Sequence, residues 1–157
     1  MITCTFEDNG KGTLRHAVIT GIVIQDDKLL LIKRAENLLY EGGKWALPGG
    51  FLDRGETFEE GARREILEES GYQVYKLTLF LINSGPNRAG EDRQNVDIVF
   101  FGEAKNKIKK PDHEVSDVGW YLFAHLPSPQ EIAFDHFMII TRFMEYRKKQ
   151  FRIPILI

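Results

Sequence analysis

The segment 50–72 constrains this chain more than any other, because it specifies a loop, a helix and both ends of that helix. Thr57 and Glu60 form a capping-box pattern, which predicts a helix that begins directly after Thr57. Gly71 predicts that the helix ends in a left-handed cap. Pro48-Gly49-Gly50 predicts a tight turn in front of the helix, with a bare backbone that a ligand can approach closely. We therefore expect a glycine turn followed by one short helix with defined ends.

Three glutamates share one face of this predicted helix. At about 100° per residue, Glu68 and Glu69 lie within about 60° on either side of Glu65. Like charges at these spacings destabilise a helix by roughly 0.2–0.5 kcal/mol per pair. A cluster of mutually repelling oxygen ligands therefore indicates a divalent cation, most naturally Mg²⁺, bound together with phosphate. A solvated acidic helix face is the alternative, since charge runs on helices are common.

The same segment resembles the signature of a known family. The signature has the pattern G-x5-E-x7-R-E-U-x-E-E-x-G-U, in which U is an apolar residue. The positions that meet it are Gly50, Glu56, Arg64, Glu65, Ile66, Glu68, Glu69, Gly71 and Tyr72. Tyr72 fits loosely, because an aliphatic residue is more usual there. The chain is thereby identified as a member of the Nudix hydrolases. The resemblance implies an α/β (α+β) fold, the Nudix α/β/α sandwich with a central mixed β-sheet, and one domain over residues 1–157.

The resemblance also implies an activity, which is the hydrolysis of a nucleoside diphosphate linked to another group. By analogy, Glu68 and Glu69 would be the main Mg²⁺ ligands, with Mn²⁺ as a substitute. Glu65 would be a further ligand or the base that deprotonates water, and the carbonyl of Gly49 would join the metal shell. A bound Mg²⁺ lowers the pKa of its water and neutralises the attacked phosphate, while a fixed carboxylate takes the proton. The number of metal ions stays open.

Supporting roles follow from the same resemblance. Glu56 and Arg64 are expected to pair with each other and to hold the loop against the helix. Glu114 lies six residues before Trp120, and this segment resembles many Nudix enzymes in which a loop glutamate before an E-x-x-W-like strand is a metal ligand or general base. In this chain the strand motif has Asp117 in place of its glutamate. A surface acid is the alternative for Glu114, and Glu91 is the rival for the role of base.

Arginines are the candidates for substrate binding. The loop 84–93 is long for a connection between strands, and Arg88 and Arg93 in it could reach phosphates. Arg34 and Arg54, near the expected cleft, are similar candidates. A solvated polar loop is the alternative interpretation.

Aromatic residues and two weak resemblances indicate which substrate the chain binds. Trp45, Phe51 and Tyr40 could stack a purine, although such aromatics more often belong to the core. Phe134-Asp135-His136 and the position of Pro86 resemble Nudix enzymes of the ADP-ribose pyrophosphatase type. ADP-ribose, giving AMP and ribose 5-phosphate, is therefore the leading substrate. Other nucleotide sugars, dinucleoside polyphosphates, capped RNA and nucleoside triphosphates stay open, as does a non-catalytic nucleotide-binding sensor.

Composition excludes several other classes. The 157 residues suit a single core, and the net charge of −2 argues against a general nucleic-acid binder. The chain has no apolar run long enough to span a membrane, and its N-terminal residues lack a targeting pattern. Cys4 is the single cysteine, which excludes an internal disulfide. We expect a cytoplasmic enzyme with a small nucleotide substrate.

Strand-like and helix-like runs alternate in the rest of the chain. Residues 16–25 and 28–33 predict a hairpin, and Trp45-Ala46-Leu47 a short strand. Three more strands are predicted at 77–82, 95–102 and 120–123.

A second helix is predicted near the end of the chain. Ser128 is its expected N-cap, and Ala133, Phe137, Ile140 and Met144 recur at helical spacing as far as about residue 148. The apolar tail 153–157 is expected to dock on the domain or to pair across a homodimer interface.

Overall fold

The computed structural model describes residues 2–87 and 94–157, and in these residues the chain forms eleven strands and two α-helices. The helices are α1 (Phe58–Ser70) and α2 (His136–Lys148). The strands are β1 (Ile2–Thr5), β2 (Lys11–Leu14), β3 (Ala17–Gln25), β4 (Lys28–Arg34), β5 (Trp45–Ala46), β6 (Gly49–Phe51), β7 (Tyr72–Val74), β8 (Thr78–Asn83), β9 (Val96–Lys107), β10 (Val115–Leu122) and β11 (Ile155–Leu156).

The strands form one mixed sheet and a separate hairpin. Strands β1 and β2 pair only with each other, whereas the main sheet has the order β10-β4-β3-β9-β8-β11. Strand β3 pairs with β9 in parallel and with β4 antiparallel. Strand β6 pairs with the first half of β3, on the side away from β9. The tight turn predicted at Pro48-Gly49-Gly50 is therefore wrong, because Gly49 and Gly50 are strand residues paired with β3. The segment 48–50, called the glycine turn below, lies at the centre of the sheet.

The two helices cover opposite faces of the sheet. Residues of β3 alternate between the faces, as expected for a strand buried on both sides. Ile19 and Val23 belong to the core cluster that contains Ile66 of α1. Ile22 belongs to the cluster that contains Phe143 of α2. The predicted sandwich of a mixed sheet between helices is therefore confirmed.

Helix α1 begins and ends where the sequence predicts. The backbone N–H of Glu60 donates to the Thr57 hydroxyl, and the Thr57 N–H donates to the Glu60 carboxylate, which completes the capping box. Gly71 ends the helix with a φ of 79°, and its N–H donates to the carbonyl of Leu67. Both ends depend on contacts within a few residues, which is why the sequence alone defines them.

The predicted hairpin and tail docking are also present. Strands β3 and β4 pair across a turn at Asp26, whose φ is 54°. The tail docks on its own chain, because β11 pairs in parallel with β8 at the sheet edge. The homodimer alternative stays a prediction.

The predicted start of the second helix is wrong. Ser128 and Glu131 do form a capping box, but it starts only a 3₁₀ turn over Pro129–Glu131. The chain then leaves helical geometry at Ile132, which bridges to Trp45, and α2 starts at His136. A pairing with a distant strand therefore overrides the local capping signal. Ala133 is buried as expected, but it lies outside the helix.

Other strand boundaries also differ from the prediction. Strand β10 starts five residues before the predicted strand at 120–123, and β9 extends to Lys107. Strands β1, β2, β6, β7 and β11 were not predicted, because each is short and depends on a partner elsewhere in the chain. Within the described residues, neither helix is long and apolar enough to cross a membrane.

Candidate active site

The glycine turn and α1 meet at the base of a pocket. Gly50 lies on β6 beside α1, and a Cβ atom at this position would lie 2.6 Å from a carboxylate oxygen of Glu65. A side chain at position 50 would therefore displace Glu65 from the turn. Gly50 was predicted to let a ligand approach the backbone closely. In this structure it is the side chain of Glu65 that approaches the backbone of Gly50.

The pocket has a volume of about 470 Å³, within the usual range for small-molecule sites. It brings together the acidic face of α1, the glycine turn, aromatic side chains and polar groups of the central strands. Its lining residues are Val18, Thr20, Arg34, Tyr40, Leu47, Gly49, Gly50, Phe51, Asp53, Glu65, Glu68, Glu69, Asn95, Asp97, Asp112, Glu114, Phe134, Asp135 and His136.

Arg64 connects the acidic residues to one another. Its Nη2 and Nε donate to the two Glu56 carboxylate oxygens at 2.6 and 3.0 Å, so the expected pair forms as a bidentate contact along one edge of the guanidinium. Its Nη1 donates to Glu65 at 2.6 Å and to Glu68 at 3.2 Å, and its Nη2 also donates to the carbonyl of Phe51 at 2.9 Å. The hydrogen bond to Arg64 lowers the pKa of Glu56. One guanidinium thus ties the turn to the helix.

Glu69 is the most deeply buried of the three glutamates. Its side chain accepts a hydrogen bond of 2.7 Å from the backbone N–H of Gly49, and the residue is only 6% exposed. Burial raises the pKa of Glu69 to about 8, against the opposing effect of the Gly49 N–H and the attraction of Arg34. Burial also raises the pKa of Glu65, although Arg64 opposes that shift. The buried carboxylates of Glu65 and Glu69 are therefore each stabilised when a proton or a cation neutralises their charge.

The donor set fits a hard divalent cation, but the carboxylates do not converge on one point. Within the described residues, no three acid, histidine or cysteine side chains are arranged to hold a metal ion. Glu65 and Glu68 are drawn to Arg64, whereas Glu69 is bound to Gly49. The Arg64 guanidinium supplies a positive charge between Glu65 and Glu68, and oxygen-only ligands suit Mg²⁺ or Mn²⁺. The residues present therefore fit the implied metal.

Glu114 lies in the pocket next to an acid that sequence reasoning missed. The backbone N–H of Glu114 donates to the carboxylate of Asp112 at 3.0 Å. Asp112 in turn donates its N–H to the carbonyl of Glu68 at 2.9 Å, so the loop is attached to the end of α1. Repulsion from Asp112 also contributes to the raised pKa of Glu69. Asp112 therefore joins Glu114 as a candidate base or ligand.

Only some of the arginines predicted to bind substrate can be placed at the pocket. Arg34 lines the pocket, and its Nη2 donates to the Tyr40 carbonyl at 3.1 Å. Arg54 is exposed and does not line the pocket, so the structure does not support it as a substrate ligand. Arg88 and Arg93, and the rival base Glu91, lie outside the described residues.

The candidate stacking aromatics are divided in the same way. Tyr40 and Phe51 line the pocket. Trp45 instead packs edge-to-face on Tyr121, with ring centroids 5.1 Å apart, at the border of the α2-side core. Trp45 is therefore a packing residue.

Polar groups on the central strands form a pocket floor that the sequence analysis missed. The Thr20 hydroxyl donates to the Asp97 carboxylate at 2.8 Å, and both residues are buried. Asn95 lies two residues before Asp97 on the same side of the chain and also lines the pocket. One signal was available, because Asp97 is a charged residue within the otherwise apolar run 96–101.

This combination of a capped acidic helix, a glycine turn and a mixed sheet between two helices defines a Nudix hydrolase. The chain belongs to the Nudix family, since the model of the NUDIX domain matches residues 14–143. The resemblance of residues 50–72 to the Nudix signature is thereby confirmed. The protein is an enzyme, a Nudix hydrolase similar to pyrophosphatases of that family.

Similar proteins carry different names within the family. The chain is 36% identical over 130 residues to an ADP-ribose pyrophosphatase of Methanocaldococcus jannaschii, covering 82% of this chain and 73% of that protein. It is 40% identical over 136 residues to the nucleoside triphosphatase NudI of Salmonella typhimurium, covering 82% of this chain and 92% of that protein. A NUDIX hydrolase from Nitrosomonas europaea has the same fold, with a TM-score of 0.78 at 26% identity, over 94% of this chain and 81% of that one.

Proposed function

We propose that this enzyme hydrolyses ADP-ribose to AMP and ribose 5-phosphate, with Mg²⁺ as its metal and Mn²⁺ as a substitute. The observation that carries the proposal is that the acidic face of α1 shares one cavity with aromatic and polar side chains. ADP-ribose has matching parts, because its central diphosphate is joined to adenosine on one side and to a second ribose on the other. The similarity to a protein named ADP-ribose pyrophosphatase supports this choice of substrate.

The glutamates of α1 would hold the metal, together with the carbonyl of Gly49. Glu68 is the most accessible, with a side chain 40% exposed, whereas that of Glu65 is 12% exposed. When bound, the metal would neutralise the diphosphate and lower the pKa of the attacking water. Arg64 holds Glu65 and Glu68 before the metal arrives, and Glu56 fixes Arg64 in turn.

Proton transfer would be the task of the loop acids. Glu114 lines the pocket and is exposed, so its carboxylate is accessible to a water molecule near the diphosphate. Asp112 orients this loop by accepting the Glu114 N–H. Arg34 would bind a phosphate oxygen, because its guanidinium lines the same cavity and attracts the carboxylate of Glu69.

A second candidate function is the hydrolysis of nucleoside triphosphates. It is favoured by the 40% identity to a protein named nucleoside triphosphatase. The metal chemistry would be the same, and the difference would lie in what fills the far end of the pocket.

A substrate panel tests these alternatives. The panel contains ADP-ribose, other nucleotide sugars, diadenosine polyphosphates, capped RNA and nucleoside triphosphates, each with Mg²⁺ and with the Glu68→Gln variant as blank. The proposal expects the highest kcat/KM for ADP-ribose. A higher value for a triphosphate would shift the assignment to the second candidate. ADP-ribose binding without turnover of any substrate would identify a nucleotide sensor instead.

A further inference from the structure

Phe134 adopts a backbone conformation that its side chain disfavours. Five non-glycine residues of the described chain have a positive φ, and they are Asn9, Asp26, Glu41, Gln94 and Phe134. The first four are polar residues in turns and loops, where asparagine and aspartate tolerate this region best. Phe134 has a φ of 55°, is half-buried and lines the pocket. Strained conformations of this kind collect at functional sites.

The conformation of Phe134 is imposed by its neighbours. Residues on both sides of it are fixed by hydrogen bonds to the sheet. These bonds join the N–H of Ala133 to the carbonyl of Trp45 at 2.8 Å, the amide of Asn83 to the carboxylate of Asp135 at 2.9 Å, and the N–H of Leu47 to Nδ1 of His136 at 3.0 Å. The same contacts interrupt the helical pattern before α2. Phe134 lies in the non-helical segment between the 3₁₀ turn and α2, and the hydrogen bonds of its neighbours keep its ring at the pocket wall.

The orientation of the Phe134 ring is fixed by Arg34. The guanidinium carbon of Arg34 lies 5.1 Å from the ring centroid, in a cation–π contact. Arg34 is itself held by the carbonyl of Tyr40. The ring thus stands beside the one described arginine that lines the pocket, and Arg34 is the proposed phosphate ligand. A nucleotide whose phosphate contacts Arg34 can place its base next to Phe134, against the ring face that Arg34 does not cover.

We infer that Phe134 is the stacking surface for the nucleobase of the substrate, and this inference rests on the proposed function. A base has a flat π face that stacks on an aromatic ring, whereas a phosphate has no such face. Stacking of a base on an aromatic residue changes affinity by roughly 10- to 100-fold. The positive φ of Phe134 would then be retained because it accompanies a ring position at the pocket wall.

The competing explanation is that Phe134 only fills space. Its ring packs partly against a small cluster that contains Ile32, Ala46, Val115 and Ala133. A leucine would preserve most of that packing but would offer no flat face. The two explanations therefore predict different behaviour for Phe134→Leu, while Phe134→Tyr retains the ring under both.

Calorimetric titration with AMP and with ribose 5-phosphate separates the explanations, because the second compound has no base. We expect the wild-type protein to bind AMP about 10- to 100-fold more tightly than ribose 5-phosphate. Phe134→Leu should weaken AMP binding by about 10-fold and leave ribose 5-phosphate binding unchanged, and Phe134→Tyr should keep AMP within about threefold of wild type. Thermal melting of each variant verifies that it is folded.

Phe51→Leu is the matched control, because Phe51 also lines the pocket but has an ordinary backbone conformation. If Phe51→Leu removes the preference for AMP and Phe134→Leu does not, the inference is overturned. It is also overturned if Phe134→Leu weakens both ligands equally. These titrations need no turnover, so a loss of AMP binding in Phe134→Leu stands even if ADP-ribose proves not to be the substrate. Turnover of ADP-ribose with an unchanged KM in Phe134→Leu would leave the proposed function intact and refute the stacking role.

Discussion

Replacing Arg64 with alanine should destabilise the metal-free protein well beyond the loss of a surface ion pair. The guanidinium donates five hydrogen bonds, to Glu56 twice, to Glu65, to Glu68 and to the carbonyl of Phe51. Removing it leaves the side chains of Glu56 and Glu65, only 15% and 12% exposed, without the cation they face. The turn and the helix would also lose their common attachment.

The free energy of unfolding lost in Arg64→Ala should lie between the values for an exposed and a buried ion pair. An exposed ion pair contributes about 0–1 kcal/mol, and breaking a buried one costs about 3–5 kcal/mol. The side chain of Arg64 is 27% exposed, so water partly replaces the lost bonds. We therefore expect a loss of about 2–3 kcal/mol, which in a domain of this size lowers the Tm by about 4–12 °C.

The assay is thermal unfolding in the presence of a chelator, with Arg142→Ala as control. Arg142 belongs to an exposed pair with Glu145 in which the side chains are 53% and 52% exposed, so its loss should cost less than about 1 kcal/mol. The pKa of Glu56 is lowered, so its pairing contributes stability above the unfolded pKa of 4.5 that is lost as the pH falls through the folded pKa. The penalty of Arg64→Ala should accordingly shrink in acid. A Tm for Arg64→Ala equal to that of Arg142→Ala would refute this reasoning.

Three further outcomes follow from the site. Glu68→Gln should lower turnover on the order of 100-fold or more while the Tm stays close to wild type, because this carboxylate is proposed to bind metal and its ion pair with Arg64 is open to water, with the Glu68 side chain 40% exposed. Burial raises the pKa of Glu69 from 4.5 to about 8, so this carboxyl contributes stability to the metal-free fold that is fully present below pH 4.5 and is lost as the pH rises through 8. Melting curves of Glu69→Gln should therefore show a smaller loss of stability between pH 4.5 and 8 than those of the wild type. Glu114→Gln should reduce kcat by about 100-fold or more with little change in substrate Kd, whereas the same effect in Asp112→Asn alone would move the base to Asp112.

The parts of the fold that the sequence predicted are those with local causes. Helix α1 is defined by Thr57, Glu60 and Gly71, and each acts within a few residues of the helix end. The pairing of Glu56 with Arg64 follows in the same way, because both belong to one turn and one helix.

The parts that the sequence did not predict depend on distant partners. Helix α2 starts late because Ile132 bridges to Trp45, and nothing around Ser128 signals this contact. The pocket floor exists because β3 and β9 pair in parallel, which brings Thr20 next to Asp97. Long-range pairing of this kind leaves little trace in local sequence patterns.

The site shows the same division. The three glutamates of α1 share a face, as helical spacing requires, and they line one pocket. Their hydrogen bonds in the metal-free protein were not predictable, because they depend on how closely the glycine turn approaches the helix.

The proposed reaction is tested by the hydrolysis of ADP-ribose by the wild-type protein, with Mg²⁺ and with a chelator, followed by identification of the products. We predict AMP and ribose 5-phosphate in equal amounts with Mg²⁺, and no products with the chelator or with Glu68→Gln. Equal rates with and without Mg²⁺, or turnover in Glu68→Gln at the wild-type rate, would contradict the assignment of the α1 glutamates as the metal site.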